Sequence, residues 1–353
     1  MPSPMPLLLA FLTAAAVAAA VTPLTLRAAL RFGFTDQPHP RRTGPLKPRL
    51  GGVAIFLGFG AALAVAYPML PGRTDAEVQR VIGLVLAGLL VLSVGIIDDR
   101  FDLPAWPQLA AQLGAAVLAM GSGILIEKIT NPLGFNLNDS LIFFPEAVAL
   151  GFTLFWLVGA MNTINFLDGI DGLAAGVVMV ASLILAAHAW LLGQFTIALL
   201  PLALAGACLG FLPYNFQPAR ITMGTCGSMF LGFTIGALAI IGGAKAATLL
   251  LVLGLPVVDT GWTIVRRLAS GQSPLRGDRT HLHHRLLALG FGERQIVLGM
   301  YGASLALGIL ALLLSTRLAK LYAIGFVVVG TVLLASALAY AARRRQGTSG
   351  KKL

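Results

Sequence analysis

The sequence predicts an all-α polytopic membrane protein of about 11 transmembrane helices. Three observations predict it. Only 11% of the 353 residues are charged, against about a quarter in a soluble domain, and 57% are apolar. The mean hydropathy is +0.87. Apolar stretches close to the length of a membrane span follow one another along nearly the whole chain. Together these exclude a disordered chain, a nucleic-acid-binding domain and an ordinary cytosolic enzyme. The two cysteines, Cys208 and Cys226, imply no disulfide framework.

The stretches run near 5–30, 51–70, 80–97, 107–125, 145–162, 173–192, 195–213, 227–243, 246–265, 295–314 and 319–341. With modest tilt each is long enough to cross a hydrocarbon core about 30 Å thick. The first has no basic residue before its apolar core, so it reads as a retained span and not a cleaved signal. Between 173 and 213 only Gly193 and Gln194 interrupt the apolar run. The segment 126–144 is the single long loop on its side. Its alternating apolar residues around Pro132-Leu133-Gly134 predict a small hairpin. The chain is expected to form one transmembrane domain over 1–342, followed by a basic tail over 343–353 that lies along anionic headgroups.

Orientation follows from the basic residues. Of 25 Lys and Arg residues, only Arg73, Arg80, Lys128, Lys245, Arg317 and Lys320 fall in one set of connections. The other set, with the adjoining helix ends, holds the rest and is expected in the cytoplasm. The N-terminus is then outside, the C-terminus inside and the hairpin outside.

The acids carry the functional information. Asp98-Asp99-Arg100-Phe101-Asp102 follows directly on an apolar run. An Asp at a span centre costs about 2.5–3.5 kcal/mol, less near the interface, so three acids at a helix mouth point to function. Asp98 and Asp102 share a face if the helix continues. A second cluster, Asn162 to Gly172, places Asn162, Asn165, Asp168 and Asp171 at every third position. On an unbroken helix this ladder would turn by about 60° per step. Gly169 and Gly172 are expected to loosen it, so that the four face one cavity.

A third element is the loop 266–294, with Arg279, His281, His283, His284 and Arg285 close together. Arg and His at this density suit phosphate oxygens. Zinc is the competing reading, but the loop has no Cys and no Glu at zinc-helix spacing. A fourth element, Met223-Gly224-Thr225-Cys226-Gly227-Ser228, opens a span with residues able to cradle an anion. A transporter would spread polar residues through the midplane of repeated halves. Here they crowd one face and no repeat is visible. Acids for a divalent metal, a basic loop and a lipid setting converge on phosphoryl transfer from a soluble donor to a lipid acceptor.

The motifs Pro48-Arg49-Leu50-Gly51-Gly52, Asp98 to Asp102, Asn162 to Gly172, Pro256-Val257-Val258-Asp259 and Asp278 to Arg285 occur in that order. In these the chain resembles the polyprenyl-phosphate N-acetylhexosamine-1-phosphate transferases over about residues 33–295. That bacterial family includes the undecaprenyl-phosphate GlcNAc-1-phosphate transferases and, more distantly, phospho-MurNAc-pentapeptide translocase. The His-Leu-His-His form is similar to the GlcNAc branch.

The resemblance implies a multi-pass enzyme of the bacterial cytoplasmic membrane with its active site facing the cytoplasm. It implies Mg²⁺-dependent, or Mn²⁺-dependent, transfer of a sugar 1-phosphate from a UDP-N-acetylhexosamine to a polyprenyl phosphate, releasing UMP and starting a cell-envelope glycan. A homodimer is the expected assembly, with no nucleic acid. On this reading Asp98, Asp99, Asp168 and His283 are catalytic, and Asp98, Asp99 and Asp168 hold the metal. Asn162, Asn165, Asp171, Arg279, His281, His284 and Arg285 bind substrate. The chain departs from the family at Thr222 and Thr225, where relatives carry an aromatic and a metal-ligand Asp, and at Thr43, where many carry His. Thr225 makes a catalytically impaired member that binds nucleotide sugar or lipid the alternative expectation.

Overall fold

A computed structural model describes residues 4–35, 46–131, 141–243, 245–271, 281–314 and 316–349. Within these the chain is a bundle of thirteen helices with one small hairpin. The helices are α1 (Met5–Phe32), α2 (Gly51–Ala66), α3 (Asp75–Phe101), α4 (Ala105–Gly121), α5 (Glu146–Leu167), α6 (Leu173–Leu191) and α7 (Phe195–Asn215). They continue with α8 (Gly224–Ile241), α9 (Ala246–Val252), α10 (Gly254–Ala269), α11 (Leu282–Ala288), α12 (Glu293–Leu313) and α13 (Arg317–Ser349). Among the described residues nine helices are long and apolar enough to cross a membrane, or ten if the bent α9–α10 pair is one span. α4, at 17 residues, is about 25 Å long and falls just below that length.

Two expectations need correction. The span expected over 246–265 is not one straight helix: α9 and α10 meet at Leu253 with a bend of 83°. Pro256 supplies the reason, since its ring has no N–H for the carbonyl of Val252 and crowds it. The helix expected to end at 341 continues to Ser349, so no helix break marks the boundary of the basic tail.

Elsewhere the local chemistry explains the elements. α3 opens on a capping box in which Thr74 accepts from the Glu77 N–H and the Glu77 carboxylate accepts from the Thr74 N–H. The hairpin pairs β1 (Lys128–Thr130) with β2 (Leu141–Phe143), Ile129 opposite Ile142, as the alternation predicts. α8 is the central span: all but two of its 18 residues are buried. Its small residues allow this, with Gly227 directly against Gly52 of α2. α13 lies at the periphery, with only 17% of its apolar window buried.

The break at Gly172 falls where expected. α5 ends at Leu167, residues 168–172 form a turn, and α6 starts at Leu173. The connections 46–50, 168–172, 216–223 and 281–292 meet at one end of the bundle. Lys47 pairs with Asp171, the Thr222 N–H bonds the Pro48 carbonyl at 2.9 Å, and Arg294 donates to the Gln217 carbonyl at 3.0 Å.

Candidate active site

At this end lies a cavity of about 290 Å³, lined by Arg49, Asp99, Asn165, Asp168, Asp171, Asn215, Thr222 and Thr225 among others. The three acid-bearing motifs therefore do not contribute equally.

Asp99, buried to 4% exposure near the end of α3, faces the cavity. Its carboxylate sits on the N-terminus of α8, accepting the Thr225 N–H at 2.8 Å and the Cys226 N–H at 3.1 Å. The anion cradle expected at 223–228 thus holds the chain's own carboxylate. Two unsatisfied helix donors and the positive end of the helix dipole favour it. Gly224 is required beside it. Its φ is +72°, and a Cβ there would lie 2.3 Å from an Asp99 oxygen.

Asp98 is placed differently. It lies outside the cavity lining and ties the α3–α4 turn, accepting the Leu103 N–H at 3.0 Å and the Gln108 side-chain amide at 2.7 Å. Asp98 and Asp102 do not share a helix face, because α3 stops at Phe101 and Asp102 turns left-handed with φ 45°. Asp102 instead pairs with Arg49 at 3.5 Å. Arg49 is brought to the cavity because the first two N–H groups of α2 bond the carbonyls of Thr222 and Met223, at 3.0 and 2.9 Å. The Gly51-Gly52 motif is where that junction forms.

In the second cluster Asn165, Asp168 and Asp171 line the cavity, and Asn162 does not. Asn162 lies on the regular part of α5 and bonds Gln112 of α4 at 2.8 Å. The turn carrying Asp168 and Asp171 is clamped from outside. Asn215 accepts the Gly172 N–H at 3.1 Å, the Ala219 N–H reaches Asp171 at 3.0 Å, and the Tyr301 hydroxyl of α12 donates to the Gly172 carbonyl. Sequence reasoning missed Lys47, Asn215 and Tyr301. Lys47 is close to a motif and Asn215 ends an apolar span, but Tyr301 sits in an apolar run that carries no polar pattern. Tyr301→Phe removes one of two hydrogen bonds to the Gly172 carbonyl, which keeps the Gly176 N–H at 3.1 Å, and a loss of about 0.5–1.5 kcal/mol is expected. Thermal unfolding in detergent checks it: an unchanged Tm would remove Tyr301 from the clamp.

The histidines are also divided. His281 Nδ1 is 2.9 Å from Asp259, whose second oxygen accepts the Leu282 N–H at 3.0 Å. This pairing joins the Pro256–Asp259 motif to the His loop. His283 packs against the cavity turn: a Cβ on Gly169 would lie 2.5 Å from its Nε2, so Gly169 is needed for that approach. Its Nε2 is buried with no hydrogen-bond partner among the described residues. Burial, reinforced by His284 and His281, pushes its pKa down to about 3, so the ring is neutral near pH 7. His284 contacts the His283 ring at 4.3 Å between centroids. Arg285 turns away, buried, and donates to the Ala335 carbonyl of α13. Arg279, Asp278 and Thr43 lie outside the described residues.

Among the described residues no three His, Cys, Asp or Glu side chains converge into a ready metal cage. Two carboxylates, Asp99 and Asp168, nevertheless open on one cavity with the hydroxyl-bearing Thr225. That donor set fits Mg²⁺, which binds through one or two carboxylates and completes its shell with water and substrate phosphate.

The fold and this cavity define a polytopic membrane protein with an acid-lined site at one end of its helix bundle. Glycosyl transferase family 4 matches residues 81–243. A Bacillus subtilis protein, a probable undecaprenyl-phosphate N-acetylglucosaminyl 1-phosphate transferase, is 33% identical over 88% of this chain and 85% of its own length. A decaprenyl-phosphate N-acetylglucosaminephosphotransferase of Mycolicibacterium smegmatis is 35% identical, over 82% of this chain and 77% of its own. A phospho-N-acetylmuramoyl-pentapeptide-transferase of Desulforudis audaxviator is 35% identical, over 86% of this chain and 95% of its own. The chain belongs to this family of membrane glycosyl-1-phosphate transferases.

Proposed function

We propose that this chain transfers N-acetylglucosamine 1-phosphate from UDP-N-acetylglucosamine to a polyprenyl phosphate. The observation that carries the reading is a single cavity, set in a membrane bundle, onto which Asp99, Asp168 and Arg49 all open. The named activities of the Bacillus and Mycolicibacterium relatives support the sugar and the lipid, and favour a working transferase over an impaired one. An oxygen of the lipid phosphate bonds to the sugar-linked phosphorus. The bond from that phosphorus to the bridging oxygen breaks, and UMP leaves with that oxygen and the bonding electrons.

The chain's residues divide this work. Arg49 offers a cation to the phosphates, and Asp171 with Lys47 closes the nucleotide side of the cavity. Neutral His283 backs the turn at Gly169 and shields it from water. Asp99 and Asp168 would hold a divalent metal, which supplies screening of the charge that develops on the phosphates. Asp98, turned to the α3–α4 loop, positions Asp99 by fixing the end of α3. The site faces the cytoplasm of a bacterial cell, on the side of the chain richer in Lys and Arg.

The test supplies radiolabelled UDP-N-acetylglucosamine, polyprenyl phosphate and Mg²⁺ to the reconstituted protein. Labelled lipid and UMP are expected in equal amounts, and from inside-out vesicles without detergent. No labelled lipid at saturating metal would end the reading. Labelling from right-side-out vesicles alone would reverse the orientation.

A further inference from the structure

A second cavity, also of about 290 Å³, opens between the start of α3, the end of α8 and the hairpin. Its charged wall is Arg80 of α3, Glu127 just before β1 and Lys128 at its start, and its apolar wall includes Leu125, Ile240 and Ile241. It lies at the far end of the bundle from the active site. On α3, Arg80 precedes Asp99 by about 28 Å of helix; on α8, Ile240 follows Thr225 by about 22 Å. That separation is close to the hydrocarbon thickness of a bilayer, about 30 Å, so the cavity opens at the opposite membrane face.

We propose that this cavity binds the phosphate headgroup of a phospholipid in the leaflet opposite the active site. Arg80 is half-buried, and among the described residues it makes no hydrogen bond or ion pair. A guanidinium held at a membrane face, with its donors unspent among the described residues, matches a phosphate, whose oxygens its planar fork can engage in pairs. Lys128 stands on the rim with its ammonium 5.5 Å from the centre of the Phe143 ring, which leaves its other donors open. Among the described lining residues two cations stand against one carboxylate, Glu127, a net positive charge. Leu125, Ile240 and Ile241 continue that wall with apolar surface, which suits a phosphate tethered to acyl chains better than a free anion.

The experiment uses the full chain in detergent, with bound phosphatidylglycerol counted by native mass spectrometry as the lipid is titrated. Arg80→Gln is expected to weaken its apparent affinity about fivefold, and adding Lys128→Gln about fivefold more. Equal lipid affinity in the wild type and the double variant would overturn the proposal. Inorganic phosphate is the second arm. Failure to displace the lipid at equal concentration supports a tethered headgroup, and displacement as efficient as by soluble phosphatidylglycerol overturns it. A photoactivatable phosphatidylglycerol, applied to the wild type, covers the case in which a variant fails to fold. Cross-linking to the peptide containing Lys128, or to that containing Ile240, is expected. Cross-links confined to other segments would reject the site. Transfer by Arg80→Gln at saturating substrate is expected to match the wild type, because the two cavities lie at opposite ends.

Discussion

Asp168→Asn is expected to lower transfer about 10²–10³-fold while the protein still folds, and Asp99→Asn to lower it at least as far. Both carboxylates open on the one cavity where the lipid phosphate and the donor would meet. An amide at either position keeps the size of the side chain and removes the charge that holding a divalent metal requires. The Asp99 variant carries a side effect of its own. Asp99 accepts two N–H groups of α8, and an amide can turn only one oxygen toward them. Its NH2 then faces a donor, at a penalty of about 1–3 kcal/mol. Asp99→Asn should therefore lower the Tm as well as the turnover. Turnover within a few-fold of normal in both variants would show that these acids are not the catalytic ones.

Thr225→Asp is expected to lower the Mg²⁺ concentration for half-maximal UMP release about tenfold or more. Thr225 lines the cavity with Asp99 and Asp168, and a neutral hydroxyl binds Mg²⁺ far more weakly than a carboxylate. The position also tolerates the change. It lies in the first turn of α8, where an acid gains about 0.3–1 kcal/mol from the helix dipole. That offsets part of its repulsion from Asp99, and bound metal reverses the rest. The measurement is a titration of UMP release against Mg²⁺ with both proteins side by side. Superimposable curves with robust turnover would show that position 225 does not contact the metal. Turnover in the variant alone would point instead to a chain impaired at this residue.

The elements were largely legible because membrane spans are written in runs of apolar residues. The hairpin and the turn at Asp168–Gly172 were legible for a related reason: alternation and paired glycines are local signals. The broken span at Leu253 was missed because Pro256 is flanked by Leu255 and Val257, inside a run that reads as apolar from Leu249 to Val258. At the site, motif membership overstated what each residue does. Asn162 and Asp171 belong to one ladder, yet the ladder spans a helix and a turn, so one bonds α4 and the other faces the cavity. Asp98 and Asp99 are neighbours on a helix about 100° apart, so only one can point into the cavity. Arg285 and His281 carry the same loop signature as His283 but are consumed by Ala335 and Asp259. Such partners lie 50 and 22 residues away in the chain, and no local pattern announces them.

The seat of Asp99 on the first turn of α8 also bears on how fast a substrate can arrive. Both reactants bring negative phosphates toward a wall that already carries acids, and uncompensated carboxylates would repel them. Because Asp99 lies against the positive end of a helix, much of its outward field is cancelled within the protein before a reactant approaches. A fixed dipole cannot diffuse away as a counterion does, so this cancellation persists at low ionic strength. Capture of the lipid phosphate should consequently depend less on added salt than the acidity of the motif suggests, and replacing Asp99 should alter that salt dependence as well as turnover.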